Sequence, residues 1–156
     1  MADILVMADS HRHDAHIRRA AELFLEGGFA MAVHLGDLAA DARRFRELTG
    51  FSPISVAGNC DMLSPAAPPK ELTTALFGAN FLICHGDRYG VKSSLARLSY
   101  RAEELSCGAA LFGHTHRAFA GYVGRALLIN PGALQDGRYA VLNVEDGRVV
   151  PRLLRF

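Results

Sequence analysis

The chain alternates between short, wholly apolar runs and amphipathic stretches, and the runs end in polar turns. Ile4-Leu-Val-Met-Ala8 contains no polar position. A strand with one face in water alternates, so an unbroken run predicts a strand covered on both faces. From Asp14 the spacing becomes helical, with Ile17, Ala20, Ala21, Phe24 and Leu25 apolar; Asp14 is the expected cap and Gly27-Gly28 the stop. Met31 to Leu35 predicts a second strand, Asp41 to Leu48 a short helix stopped by Gly50, and Ile54 to Ala57 a third strand. This strand-helix-strand-helix-strand order predicts a parallel sheet, whose ligands bind beyond the carboxyl ends of the strands.

The second half reads differently. Leu63 to Pro69 is proline-rich and predicts a loop. Leu72 to Phe77 and Asn80 to Cys84 predict adjacent strands, and Lys92 to Ser106 a helix with Leu95, Leu98 and Ala102 on one side. Ala109 to Phe112 predicts another buried strand. The remainder predicts hairpins: Phe119 to Val123, Leu127 to Ile129, Tyr139 to Val144 and Val149 to Leu154, punctuated by Gly124, Asn130-Pro131-Gly132 and Asp146-Gly147. The expected fold class is α/β, with two mixed sheets and helices outside both. Without a repeat or linker, residues 1–156 are expected to form one domain.

Composition narrows the function classes. Net charge is +1, from 17 basic and 16 acidic residues, which argues against a general nucleic-acid or membrane-surface binder. Cys60, Cys84 and Cys107 are odd in number and lack paired spacing, so a disulfide framework is not expected and a reducing cytoplasm is. Ile4 to Ala8 is too short for a secretory core, and Asp3 stands where a basic segment would. No apolar run approaches the roughly 20 residues that span a bilayer.

The candidate chemistry lies where the runs end: Asp9-Ser-His11, Gly36-Asp37, Gly58-Asn59, His85-Gly86 and Gly113-His114-Thr-His116. Imidazole suits zinc, iron and nickel, and carboxylate suits manganese and magnesium. A mixture from several strand ends predicts a hydrolytic metal centre, with too many ligands for one ion. Asp9 and His11, like His114 and His116, are two residues apart, which in extended backbone puts both side chains on one face. Asp37 is the natural shared ligand, because a carboxylate has two oxygens.

These motifs, together with Asp61, Asp87, Tyr89-Gly-Val-Lys92 and Leu128-Ile-Asn-Pro-Gly132, resemble the calcineurin-like metallophosphoesterases, in particular their small bacterial and archaeal phosphodiesterase branch. They occur in the family's order and span nearly the whole chain. The resemblance implies a four-layer α-β-β-α sandwich and two divalent ions, with manganese expected first and iron, zinc or nickel able to substitute. One ion would take Asp9, His11, Asp37 and His116; the other Asp37, Asn59, His85 and His114. It implies a phosphodiesterase acting on a small phosphodiester by in-line attack of a metal-bridging hydroxide, with Asp37, Asn59 and His114 as catalytic residues.

Four departures bear on the substrate. Cys60 stands where larger relatives carry a histidine that protonates the leaving group, and a thiol with a pKa of about 8.5 is a poor acid for an alkoxide. Arg12 replaces a glycine, Ala57 an arginine and Ala133 a serine. Arg12, Arg88 and Arg117 are candidate substrate contacts, with a solvent-facing role equally open for Arg117. His34 is expected to support the centre, Asp61 to brace its loop, and Lys92 to start a helix. The alternatives are a non-catalytic assembly scaffold of the same fold, or a phosphomonoesterase or nuclease. Nucleic acid as a substrate and a homo-oligomeric state stay open.

Overall fold

Ile4 and Val6 leave β1 (Ala2–Met7) on one side and Leu5 and Met7 on the other, and all four are fully buried. Ile4 and Val6 join a cluster with Val33, Phe81, Ile83, Leu111, Ile129 and Leu142. Leu5 and Met7 pack with Ile17, Ala20, Phe24 and Phe45. A strand buried on both faces has no position for a polar side chain, which accounts for the unbroken run. The computed structural model describes residues 1–61 and 64–156, so the expected loop Leu63 to Pro69 is described from Ser64 onward, and Leu63 lies outside the described residues.

The first cluster separates two five-stranded sheets. One has the order β10-β9-β1-β2-β3, with β2 at Met31–His34, β3 at Ile54–Ser55, β9 at Arg138–Glu145 and β10 at Arg148–Arg155. Within it β1, β2 and β3 run parallel, and β9 pairs antiparallel with β1. The other has the order β4-β5-β6-β8-β7, with β4 at Glu71–Leu76, β5 at Ala79–Cys84, β6 at Ala109–Leu111, β7 at Phe119–Val123 and β8 at Ala126–Asn130. Helices α1 (Asp14–Glu26) and α2 (Ala39–Thr49) cover the first sheet through Ile17, Ala21, Phe24 and Phe45. Helix α3 (Ala96–Glu104) covers the second through Leu98 and Ala102, against Leu82, Ala110 and Leu128. The result is a four-layer α-β-β-α sandwich of two mixed sheets.

Several local expectations are corrected. Asp14 is the first residue of α1 rather than its cap; His13 caps it, its Nδ1 accepting from the His16 N–H at 3.4 Å. Asp14 instead pairs with Arg18 and Arg44 on the surface. The third strand stops at Ser55, two residues early. Lys92 does not start a helix. The N–H groups of Ser93 and Ser94 both turn back to the Gly90 carbonyl, and the Ser94 hydroxyl accepts from Ala96 N–H, so α3 begins only at Ala96. The closing strands are not consecutive hairpins of one sheet. β7 and β8 pair in the second sheet; the chain then crosses at Asn130-Pro131-Gly132, and β9 and β10 complete the first. β8 runs parallel to β6, which local sequence cannot show.

Leu111 is fully buried between the sheets. Leu111→Ala leaves a cavity there and is expected to cost about 2–5 kcal/mol. A urea unfolding curve reads it; a loss under about 1 kcal/mol would contradict the inter-sheet placement.

Candidate metal centre

β1, β2, β5 and β6 all end on one edge of the sandwich, and the clusters follow them. Asp9 lies two residues past β1, Asp37 three past β2, His85 one past β5 and His114 three past β6. Asp9, Asp37 and His85 are buried, and His11, His114 and His116 half-buried. Ligand atoms of Asp9, His11 and His116 lie within 4.8 Å of one another, as do those of Asp9, Asp37 and His85. Asp9 Oδ1 stands in the middle, 3.4 Å from His116 Nε2, 3.8 Å from His85 Nε2 and 4.0 Å from His11 Nε2.

The turns that achieve this are strained. Asp9, His11, Asp37, His114 and His116 all have positive φ, between 45° and 95°. The sequence-based picture of two ligands sharing one face of extended backbone is therefore corrected: the strands have ended, and left-handed turns aim the pairs. Asp and His tolerate that region better than branched residues. Such conformations cost about 1–3 kcal/mol each and persist where the surroundings enforce them. Enforcement is visible at two glycines. A Cβ on Gly58 would sit 2.3 Å from Asp37 N, and one on Gly113 2.9 Å from Asp9 Oδ2.

Hydrogen bonds orient the donors. His85 Nδ1 faces the Leu35 carbonyl at 2.8 Å, which fixes a proton on Nδ1 and leaves a lone pair on Nε2. That Nε2 faces Asn59 Oδ1 at 3.0 Å, a second acceptor. The His114 N–H donates to Asp9 Oδ2 at 2.9 Å, and the His114 ring lies against His85 with centroids 5.1 Å apart. His11 Nδ1 lies 2.5 Å from Asp37 Oδ2, and His11 Nε2 lies 3.1 Å from His116 Nε2. Asp9 Oδ1 and Asp37 Oδ2 are buried without a hydrogen bond. Burial raises the Asp9 carboxyl above its ordinary range, and His85 and His116 only partly offset this. Unsatisfied carboxylate oxygens among imidazole and amide lone pairs fit divalent cations, which would satisfy them all.

A buried support line lies behind. Gly36 N–H donates to His34 Nδ1 at 3.3 Å, His34 Nε2 meets Ser10 Oγ at 2.9 Å, and the Ser10 hydroxyl donates to Asp41 Oδ2 at 2.7 Å. Asp41 Oδ2 also accepts the Arg12 N–H. Every proton is placed only if His34 is neutral with its proton on Nε2. Asp61 accepts from Ala39 N–H and Gly58 N–H, tying the start of α2 to the Asn59 turn. Asn130 Nδ2 donates to the Gly113 carbonyl at 2.9 Å.

His34 and Asp61 take the supporting positions expected of them. Ser10, Asp41 and Asn130 are additions. Ser10 sits inside the first cluster and Asn130 inside Leu128 to Gly132, so their neighbours marked them; Asp41 reads in sequence as an ordinary first-turn acid. The side chains of Arg12, Arg88 and Arg117 are exposed. Cys60 is exposed, while Cys84 and Cys107 are buried thiols of the core.

The model of the calcineurin-like phosphoesterase superfamily domain matches residues 2–147. A Bacillus subtilis (strain 168) protein named Probable metallophosphoesterase YsnB is 29% identical, covering 96% of this chain and 89% of its own length. A predicted phosphoesterase from Streptococcus pneumoniae TIGR4 superposes with a TM-score of 0.80 at 26% identity, covering 99% of this chain and 89% of that one. An archaeal phosphodiesterase has the same fold, with a TM-score of 0.75 at 21% identity over 97% of this chain and 99% of its own.

Burial pushes the His34 imidazole down to about 4 from an ordinary 6.5. Between those values the unfolded chain binds a proton at His34 and the folded chain does not. Stability is therefore expected to fall as pH drops through that window, by up to about 3 kcal/mol, and this contribution levels off below pH 4. Urea midpoints in EDTA at several pH values read this. His34→Gln should flatten the slope above pH 4.5; an unchanged slope would rule His34 out as its source.

Proposed function

The chain belongs to the calcineurin-like phosphoesterase superfamily, and from that we propose that it is a metal-dependent phosphodiesterase of the reducing cytoplasm. The observation that carries the proposal is the pair of buried carboxylate oxygens among inward-facing imidazoles, Asp9 Oδ1 without a hydrogen bond and Asp37 Oδ2 against His11 Nδ1. Likeness in fold to the archaeal phosphodiesterase supports diesters as the substrate class. In this reading Asp9, His11, Asp37 and His116 hold one ion, and Asp37, Asn59, His85 and His114 the other. Manganese fits the mixed oxygen and imidazole donors. Two such ions, when bound, lower the pKa of water and offset charge developing on the phosphoryl oxygens.

The chain's own residues then have separate tasks. The Leu35 carbonyl holds the His85 ring by its Nδ1, turning Nε2 toward the site. The His114 N–H fixes the Asp9 carboxylate. Asp61 holds the turn that presents Asn59. The reaction forms one P–O bond to water and breaks the P–O bond to the leaving alcohol, which must gain a proton. Cys60 stands beside Asn59 at the site, where larger relatives carry a histidine for that task. Its thiol is pushed up to about 11, first by the neighbouring Asp37 carboxylate and then by burial, so it is a weak acid at neutral pH. Well-positioned general acids contribute roughly 10²–10⁴-fold. Esters whose leaving groups need no proton are therefore the favoured substrates.

Hydrolysis of bis-p-nitrophenyl phosphate with and without Mn²⁺ tests the proposal. Turnover is expected only with the metal, and at a higher rate than for p-nitrophenyl phosphate. Asp37→Ala is expected to remove activity and the Mn²⁺-dependent rise in unfolding midpoint, a shift worth about 2.7 kcal/mol at a hundredfold excess over Kd. Fully metallated protein inert on both esters would favour the scaffold instead, and a monoester rate above the diester rate would reassign the substrate.

Among a series of aryl and alkyl diesters, the rate should fall steeply as the leaving-group pKa rises. A flat series with chemistry rate-limiting would show that a proton donor does act.

A further inference from the structure

A cleft of about 550 Å³ opens beside the metal centre. Its apolar wall is built by Val91, Leu95, Phe112 and Phe119. Thr115, Lys92 and Arg117 line it as well. Thr115 lies between His114 and His116, so the loop that carries two candidate ligands also forms the rim. The early turn at Gly90, which delays α3 to Ala96, leaves Lys92 in a loop on the cleft instead of on a helix.

An apolar wall ending in Phe119 offers a face for a flat ring, and Thr115, Lys92 and Arg117 add polar groups at its edge. Lys92 and Arg117 are exposed, and no salt bridge among the described residues engages either. The Arg117 N–H is held by Thr115 Oγ1 at 3.2 Å, and Thr115 Oγ1 is held in turn by Asn130 Nδ2 at 3.0 Å. The backbone that carries Arg117 is thus tied to the residue that also anchors Gly113. Two cations at the edge of an apolar slot, one of them on an anchored turn, match a ligand with an aromatic body and a negative charge of its own.

We propose that this cleft holds the non-leaving arm of the diester, and that the arm it selects carries an aromatic ring, packed on Phe119 and Leu95, and a second anionic group met by Lys92 and Arg117. The substrate class is then a phosphodiester with a nucleotide-like arm, bearing a charge beyond that of the reacting phosphate. The inference rests on the phosphodiesterase reading of the adjoining centre.

Three p-nitrophenyl diesters separate the two: the methyl ester, the thymidine 5′ ester, and the thymidine 5′ ester carrying a 3′-phosphate. All release the same phenolate, so only the retained arm differs. With Mn²⁺, kcat/KM is expected to rise about ten-fold from methyl to thymidine through ring packing. It should rise roughly ten-fold again with the 3′-phosphate through charge, this second step shrinking at high salt. Phe119→Ala should reduce the first ratio and Lys92→Ala the second, each to about two-fold. Binding without catalysis is read by amide NMR shifts of Leu95 and Phe119 as thymidine 3′,5′-bisphosphate is added to protein in EDTA. Equal kcat/KM for all three esters, with the methyl ester turned over, overturns the cleft and leaves the diesterase reading standing. No turnover of any ester overturns the diesterase reading, and the cleft then stands or falls on the bisphosphate shifts.

Discussion

The site is organised around one buried carboxylate oxygen, Asp9 Oδ1. That oxygen is buried and unpartnered, and three imidazole nitrogens lie within 4.0 Å of it. One of them, His85 Nε2, belongs to a ring held at Nδ1 by the Leu35 carbonyl, and it also faces the Asn59 oxygen. A buried carboxylate among acceptors is costly on its own, and cations are the simplest species that would offset it. The rest of the molecule can be read as what makes this crowding tolerable. Strands β1, β2, β5 and β6 stop at one edge, turns in left-handed conformations aim the side chains inward, and the inter-sheet core fixes the distance between the two halves of the site.

Much of this was legible in the sequence, for a physical reason. A strand with both faces covered excludes polar residues along its length, so the first polar residues after it mark its exposed end. In an open α/β sheet that end is also where ligands bind. The run Ile4 to Ala8 therefore announced both a central strand and the place of Asp9. Glycines next to Asp37, Asn59 and His114 were a second cue: a Cβ on Gly58 would meet the Asp37 backbone, and one on Gly113 the Ala8 and Asp9 side chains.

What could not be read depended on contacts between distant elements. Asp41 reads as a first-turn acid on α2, yet it holds Ser10 and the Arg12 backbone from across the site. His34 lies on a strand facing the helices, and only its partners at both ring nitrogens show that it must be neutral. The crossing after β8 was equally hidden. Turn residues at Asn130-Pro131-Gly132 signal a change of direction, but nothing local distinguishes a hairpin from passage into the other sheet. The helix expected from Lys92 failed for a local reason: the Ser94 hydroxyl accepts the Ala96 N–H, a side-chain bond that starts the helix after the serine.

Cys60 and the cleft bear on one question, how the chemistry and the choice of substrate are divided. A thiol held beside the Asp37 carboxylate is pushed up to about 11, so it gives little help to a leaving group. Selectivity by leaving group then comes from the substrate's own chemistry, because a good leaving group departs without a proton. On the proposed reading, selectivity by the retained arm would come from the protein, through surfaces that touch atoms remote from phosphorus. Such remote binding can be used at the reacting centre only if the arm is held rigidly relative to it. The Asn130 side chain meets that condition. Its amide nitrogen binds the Gly113 carbonyl and the Thr115 hydroxyl together, so the turn that positions His114 and the turn that carries Arg117 are fixed to one residue.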